Sequence, residues 1–198
     1  MAGFYCSVWR FLGMGEPMSD YISPQWGLGL LGSTLLTRRK IFVSYHHGSD
    51  QAYYEQFSRF FHDQYEAVFD NSLERRIDSD DVRYVMQRIR DTYITGTSCT
   101  VVLIGAQTHE RKYVDWEIKA TLDKQHGLVG IILPNHLKTA DGKIIVPDRL
   151  HSNITTGYAA FEHWNNTTVQ RLSELVNAAA SRSKSLIDNS MEMKQRNG

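Results

Sequence analysis

The run Cys99-Thr-Val-Val-Leu-Ile104 decides the fold class of this chain. It consists of apolar and β-branched residues, and Gly96 and Gly105 lie on either side of it. A short, continuous apolar run between turn residues is typical of a strand that is buried on both faces, as in a parallel sheet. We therefore place this run at the centre of a sheet.

Similar short runs lie on both sides of this central strand, and segments with helical spacing of apolar residues separate them. Such alternation predicts right-handed βαβ units and an α/β fold with a mostly parallel sheet flanked by helices. The predicted strands lie near 41–45, 67–69, 99–104 and 128–133, with a further edge strand at 144–146. The predicted helices begin near Ser49 or Asp50, after the acidic residues 78–81, at Thr108, and at Asn165 or Asn166.

The regular pattern covers only part of the chain. Residues 1–39 form an N-terminal extension of unknown role, residues 40–180 the folded domain, and residues 181–198 a polar tail that we expect to be flexible. The extension carries Phe4, Trp9 and Trp26, so we expect it to pack on the domain or on a neighbouring protomer. The alternative is a solvated leader or a misassigned start.

The composition excludes several classes of protein. The chain has 22 basic and 22 acidic residues among its 198, which gives no support for a large nucleic-acid-binding surface or a polybasic membrane anchor. No apolar run is long enough to span a bilayer. The two cysteines are far apart, as expected of unlinked thiols in the cytoplasm.

Ligands of parallel α/β sheets bind beyond the carboxyl ends of the strands. No loop at those ends carries a Gly-x-Gly-x-x-Gly or Walker sequence, and the carboxylates of a phosphate-accepting receiver domain are missing after the first and third strands. His46 and His47 are adjacent but have no second ligand at zinc spacing nearby, so we expect no metal site.

One carboxylate on the helix after the central strand remains as a candidate. On an ideal helix Glu117 lies beside the apolar arc of Val114 and Ile118, where it could be half-buried at the rim of a cleft. The alternative is a solvated glutamate that pairs with Lys124 or Arg111. The residues alone leave both interpretations open.

The order and spacing of several segments over about residues 40–178 resemble the Toll/interleukin-1 receptor (TIR) family, especially the bacterial TIR-like proteins of the ThsB type that act in Thoeris anti-phage defence. The resemblance implies a flavodoxin-like TIR fold. The segments that carry it are Lys40-Ile-Phe-Val-Ser-Tyr-His-His47, Val68-Phe-Asp70, Ser98-Cys-Thr-Val-Val-Leu-Ile-Gly105, Arg111-Lys-Tyr-Val-Asp-Trp-Glu-Ile118, Gly130-Ile-Ile-Leu-Pro134, Pro147-Asp-Arg-Leu150, Gly157-Tyr-Ala159 and Trp164.

The resemblance also implies a site. The glutamate with which TIR enzymes cleave NAD matches Glu117 by position. The aromatic residues beside it, Tyr113 and Trp116, are implied as further substrate contacts, although they depart from the family spacing. The loop after the first strand implies substrate contacts from Ser44, Tyr45 and His46. The segment that ends at Asp70 implies a further contact, and loop 71–80 corresponds to the BB loop that joins protomers in TIR assemblies.

The implied activity is release of nicotinamide from NAD, which serves as substrate, with no cofactor or metal required. The product would be ADP-ribose or, as the ThsB resemblance implies, a cyclic ADP-ribose-type signal that reaches a downstream effector. The implied partners are further copies of the chain and a phage-derived trigger. Two alternatives stay open: a TIR scaffold without turnover, and an enzyme that attacks nucleoside N-glycosidic bonds through a covalent glutamate.

Overall fold

The computed structural model describes residues 39–63, 65–68 and 81–198. Several predictions fall on other residues: the packing of the N-terminal extension, the substrate contact at Asp70, and the assembly role of loop 71–80. These predictions lie outside the described part of the chain.

A sheet of five strands in the order β2-β1-β3-β4-β5 forms the centre of the domain, and every pairing in it is parallel. This is the flavodoxin-like order, and it confirms the predicted α/β fold. All six residues of β3 are buried, as its continuous apolar sequence predicted. The strands are β1 (Lys40–Ser44), β2 (Glu66–Val68), β3 (Cys99–Ile104), β4 (Gly127–Ile132) and β5 (Ala160–His163).

Helices cover both faces of this sheet. The α-helices are α1 (His47–Phe61), α2 (Val82–Arg88), α3 (Lys112–Asp123), α4 (Asp148–Thr155) and α5 (Val169–Ser181). A π-helical segment, Ile89–Ile94, follows α2 directly, and short 3-10 helices lie at Thr108–Glu110, Trp164–Asn166 and Lys184–Leu186. The chain turns after the π-helical segment at Gly96, whose φ of +86° favours glycine.

Alternation along the strands divides the core between the two faces of the sheet. Val43, Val101 and Leu103 pack with α1 and α5 on one face. Phe42 and Val102 point to the other face, where α2, α3 and α4 lie. Because consecutive residues alternate, Ser44 at the end of β1 lies on the same face as Phe42, toward α3.

Two elements near the carboxyl end of the domain differ from the prediction. Residues 144–146 form no strand, although Ile144 makes an isolated antiparallel bridge with Lys138. The fifth strand is instead Ala160–His163, at the edge of the sheet. Ala160 is buried, whereas the three residues after it are exposed or half-buried, so the strand carries no apolar run. Helix α4 was also missed, because its short sequence is largely polar.

The helix caps were predicted only in part. Asp81 caps α2 as expected, because its carboxylate accepts hydrogen bonds from the backbone N–H groups of Arg83 and Tyr84. Helix α1 begins earlier than Ser49 or Asp50 and is capped by His46. The last helix is capped by Thr168 rather than by Asn165 or Asn166.

The C-terminal segment after α5 follows a defined course along the domain. Met193 packs against the core between α2 and α3. Ile187 packs against the buried cluster that includes Leu150 of α4 and Ile118 of α3. The indole Nε1 of Trp116 donates to the carbonyl oxygen of Lys194 at 2.9 Å. Both backbone and side-chain atoms of the segment make these contacts, which its polar composition does not reveal. The flexibility of the tail stays a prediction.

Candidate functional site

The closest polar contact between β1 and α3 joins a serine to a glutamate. The hydroxyl Oγ of Ser44 donates to Oε2 of Glu117 at 2.5 Å. Both side chains are buried, with 1% of Ser44 and 5% of Glu117 exposed. The contact lies at the carboxyl end of β1, where ligands of parallel sheets bind.

Local sequence patterns place these two groups opposite each other. Ser44 faces α3 because strand residues alternate, and Glu117 faces the sheet because it shares one side of α3 with Val114, Ile118 and Thr121. A second polar contact lies on the same interface, since the hydroxyls of Thr100 and Thr121 are 2.6 Å apart. Helix α3 therefore presents a partly polar side to the sheet.

The burial of Glu117 differs from both sequence interpretations. The helix pattern predicted a half-buried carboxylate at a rim or a solvated one paired with Lys124 or Arg111. The structure instead places it almost fully inside, against a side chain that lies 73 residues away in sequence. Burial of a carboxylate is costly unless other groups stabilise it, and the hydroxyl of Ser44 is one such group.

The next residues of the β1–α1 loop point elsewhere. The ring of Tyr45 stacks on Tyr54 of α1, with ring centroids 4.4 Å apart, and packs against the core on the α1 side of the sheet. Its hydroxyl donates to Gln51 at 2.9 Å. His46 is buried and accepts a hydrogen bond from the N–H of Gly48 on Nδ1. Ser44 therefore joins Glu117 directly, whereas Tyr45 and His46 shape the loop beside them.

The two aromatic residues beside Glu117 lie on the side of α3 that faces α2. Trp116 is buried in the core there, and the Tyr113 ring meets it edge-on with centroids 5.4 Å apart. The ammonium of Lys112 lies 5.1 Å from the Tyr113 ring and 5.4 Å from the Trp116 ring. The aromatic pair thus fixes the start of α3.

A buried polar network ties three loops together at the same edge of the sheet, and the sequence analysis missed it. The carboxylate of Asp50 accepts hydrogen bonds from Thr108 Oγ1 at 3.1 Å and from Asn135 Nδ2 at 2.9 Å. These residues follow β1, β3 and β4, so their positions after strand ends were the available signal. Gly105 is required there, because a Cβ would lie 2.2 Å from Asp50 Oδ1.

A second missed group is a buried ion pair on the outer side of α3. The Arg149 side chain is fully buried, and its Nε donates to Asp115 Oδ1 at 2.8 Å. Its Nη2 donates to Asp115 Oδ2 at 3.3 Å, which completes a two-pronged contact. Both residues belong to segments that carry the family resemblance, but their pairing could not be read from the sequence.

Two features are absent from the described residues: a cluster of metal ligands and a membrane-spanning helix. In that part of the chain, no group of three or more histidine, cysteine, aspartate or glutamate side chains is arranged to hold a metal ion. Among the same residues, no helix is long and apolar enough to cross a membrane.

Comparisons with known proteins agree with the fold. Residues 42–138 match the family model of the TIR-like domain of the Thoeris protein ThsB. This match spans β1, β3, β4 and α3, and so includes both Ser44 and Glu117. A search of curated proteins gives no match. The chain therefore carries a TIR-like domain of the Thoeris ThsB type over residues 42–138, which supports a place in anti-phage defence.

Proposed function

We propose that this protein cleaves NAD between nicotinamide and ribose, with Glu117 as the catalytic residue. The observation that carries the proposal is the buried Ser44–Glu117 contact of 2.5 Å at the carboxyl end of β1 in a ThsB-like TIR domain. A carboxylate held at this edge of the sheet lies where a parallel α/β fold binds its ligand.

The reaction requires little from the protein besides a placed negative charge. The bond between C1′ of the ribose and N1 of the pyridinium breaks, and its electron pair neutralises the leaving nicotinamide. The ribose then carries an oxocarbenium-like positive charge. A carboxylate beside the ribose stabilises this charge more in the transition state than in bound NAD, and such differential stabilisation increases the rate.

Ser44 gives the carboxylate its orientation in this proposal. A short hydrogen bond from Ser44 Oγ fixes the Oε2 atom of Glu117, so no reorganisation is needed as positive charge develops. The Asp50–Thr108–Asn135 network holds the surrounding loops in place. A site preorganised in this way can exclude water from the ribose.

The nucleophile determines the product. Attack by water on C1′ gives ADP-ribose and releases a proton, whereas attack by a group within the same ADP-ribose closes a ring. We favour the second outcome, a cyclic ADP-ribose-type signal for a downstream effector, because the ThsB-type domain supports a place in anti-phage defence. Self-association of cytoplasmic protomers and a phage-derived trigger complete the proposal.

The test is nicotinamide release from NAD by the wild type and by Glu117→Gln over a range of protein concentrations. Glutamine keeps the size of the side chain and an oxygen that accepts from Ser44, but it removes the charge. Turnover should fall by about two to three powers of ten, the usual scale for losing one aimed electrostatic contact. Binding of intact NAD should change less.

Glu174→Gln is the matched control, because Glu174 is an exposed glutamate on α5, on the other face of the sheet. It should turn over NAD like the wild type. Release by Glu117→Gln at the wild-type rate would contradict the catalytic assignment. NAD binding without release by the wild type, at the highest concentration and in a lysate of phage-infected cells that supplies the trigger, would favour the scaffold alternative.

A further inference from the structure

The guanidinium of Arg149 contacts more than its aspartate partner. Its Nη1 donates to Asn189 Oδ1 at 2.9 Å and to the carbonyl oxygen of Met191 at 3.0 Å. Its Nη2 donates to the carbonyl oxygen of Glu192 at 2.9 Å. Arg149 therefore holds Asp115 of α3 and the C-terminal segment at the same time.

The segment held in this way runs along the whole length of α3, and we call residues 189–198 the strap. At the far end of the helix, Asn189 Nδ2 donates to Asp123 Oδ1 at 2.8 Å. In the middle, the N–H of Lys194 donates to Asp115 Oδ2 at 2.9 Å, and its carbonyl accepts from Trp116. The strap therefore contacts Asp115 and Trp116, the two residues that come just before Glu117.

The strap also supplies the cap that α3 lacks. Arg111, the residue before the helix, makes no capping hydrogen bond with its side chain. The first N–H of the helix, that of Lys112, instead donates to Asn197 Oδ1 at 3.0 Å. The free N–H groups of a first helical turn need such a partner, so the strap completes the start of α3.

We propose that Arg149 is a positioning residue for Glu117: by clamping the strap against Asp115, it fixes the first turns of α3 and so holds the Glu117 carboxylate against Ser44. This inference rests on the proposed function for its effect on turnover. In this role Arg149 acts on Glu117 through the helix.

The experiment uses the full-length protein with Arg149→Lys, which keeps the charge but removes the fork that grips two groups at once. Hydrogen exchange of backbone amides, without substrate, should become at least about tenfold faster in residues 112–118 and in the strap. Nicotinamide release should show kcat lowered about tenfold, with KM for NAD within about twofold of the wild type.

Arg182→Lys is the matched control, because Arg182 also donates to two backbone carbonyls, those of Gly157 and Ala159, which belong neither to α3 nor to the strap. It should leave exchange in residues 112–118 and kcat unchanged. If Arg149→Lys does not fold, Asn189→Ala loosens the strap from its partly exposed side. Ser190→Ala is then the control, since its hydroxyl bonds only locally, to Asp188 at 2.7 Å.

Three results would overturn the proposal. Wild-type exchange in residues 112–118 of the strap variant would show that the strap does not order α3. Faster exchange with an unchanged kcat would show that this order does not matter for turnover. Equal effects of the strap variant and its control would show a general loss of stability. A wild type that binds NAD without releasing nicotinamide would instead contradict the proposed function, and the exchange measurement would then decide the positioning of α3 by itself.

Discussion

Asp115 and Glu117 lie two residues apart on α3, but their carboxylates have different partners. Two residues are about 200° apart around a helix, so the two side chains leave on nearly opposite sides. Asp115 meets the guanidinium of Arg149 at 2.8 Å, on the outer side under the strap. Glu117 points to the sheet and accepts a hydrogen bond from the hydroxyl of Ser44 at 2.5 Å.

The difference separates a structural carboxylate from a candidate catalytic one. The charge of Asp115 is balanced by a buried arginine, so removing it leaves a buried cation without this counter-charge. The donor in the contact of Glu117 with Ser44 is a neutral hydroxyl, which orients the carboxylate. A charge oriented in this way can stabilise a positive charge that develops on a substrate.

The largest effect should come from Asp115→Asn, which removes the charge of the structural carboxylate. The variant leaves the buried Arg149 guanidinium without its counter-charge and should lower the free energy of unfolding by about 3–5 kcal/mol. Urea denaturation measures the change. The matched variant Glu117→Gln should stay within about 1 kcal/mol of the wild type, because glutamine still accepts from Ser44. Equal losses of stability in the two variants would contradict the distinction.

Asp123→Asn is the control for a general effect of lost charge on α3. Asp123 pairs with Arg90 and Lys119, and all three side chains are partly exposed. Partly exposed pairs contribute little, so this variant should lose no more than about 1 kcal/mol.

Ser44→Ala tests how much the hydrogen bond to Glu117 contributes to turnover. The variant removes the donor that orients Glu117 but leaves the charge, so kcat should fall about tenfold, less than for Glu117→Gln. Steady-state nicotinamide release measures it. Ser98→Ala is the control, because the Ser98 hydroxyl bonds the Lys40 carbonyl at the opposite end of β1. A loss as large as that of Glu117→Gln would mean that Ser44 itself takes part in the reaction.

The smallest effect should come from an ion pair near the surface. The hydrogen bond from Arg171 is the main cause that lowers the pKa of Glu162 below its ordinary value of 4.5. A lowered carboxyl pKa stabilises the fold above the ordinary value, and that stability is lost as the pH falls through the pKa of the folded state. Glu162→Gln should therefore lower the melting temperature by a few degrees at most at pH 7, and the gap should close as the pH falls below 4.5.

A melting temperature measured for both proteins from pH 7 to pH 3 tests this pH dependence. A gap that widens with acidification would contradict the sign. A drop in the melting temperature of Glu162→Gln at pH 7 as large as that of Asp115→Asn would contradict the distinction between buried and surface pairs.

Much of the fold could be predicted because its signals are local. Four strands lie within one residue of their predicted positions, since buried parallel strands carry continuous apolar runs. The face of α3 with Val114, Ile118 and Leu122 is buried as its helical spacing predicted. Edge strand β5 and the polar helix α4 lack such signals, and Phe60 has the right spacing for a core residue yet is 66% exposed.

Local sequence patterns were enough to predict the parallel sheet, the helices around it and Glu117 as the candidate residue, because apolar periodicity and motif order are properties of neighbouring residues. The contacts of Glu117 and of the helix that carries it could be found only in the folded structure. Ser44 is 73 residues away from Glu117, Asp115 is 34 residues away from Arg149, and Lys194 is 78 residues away from Trp116. Contacts over such separations depend on how strands and helices pack, and no local pattern encodes them.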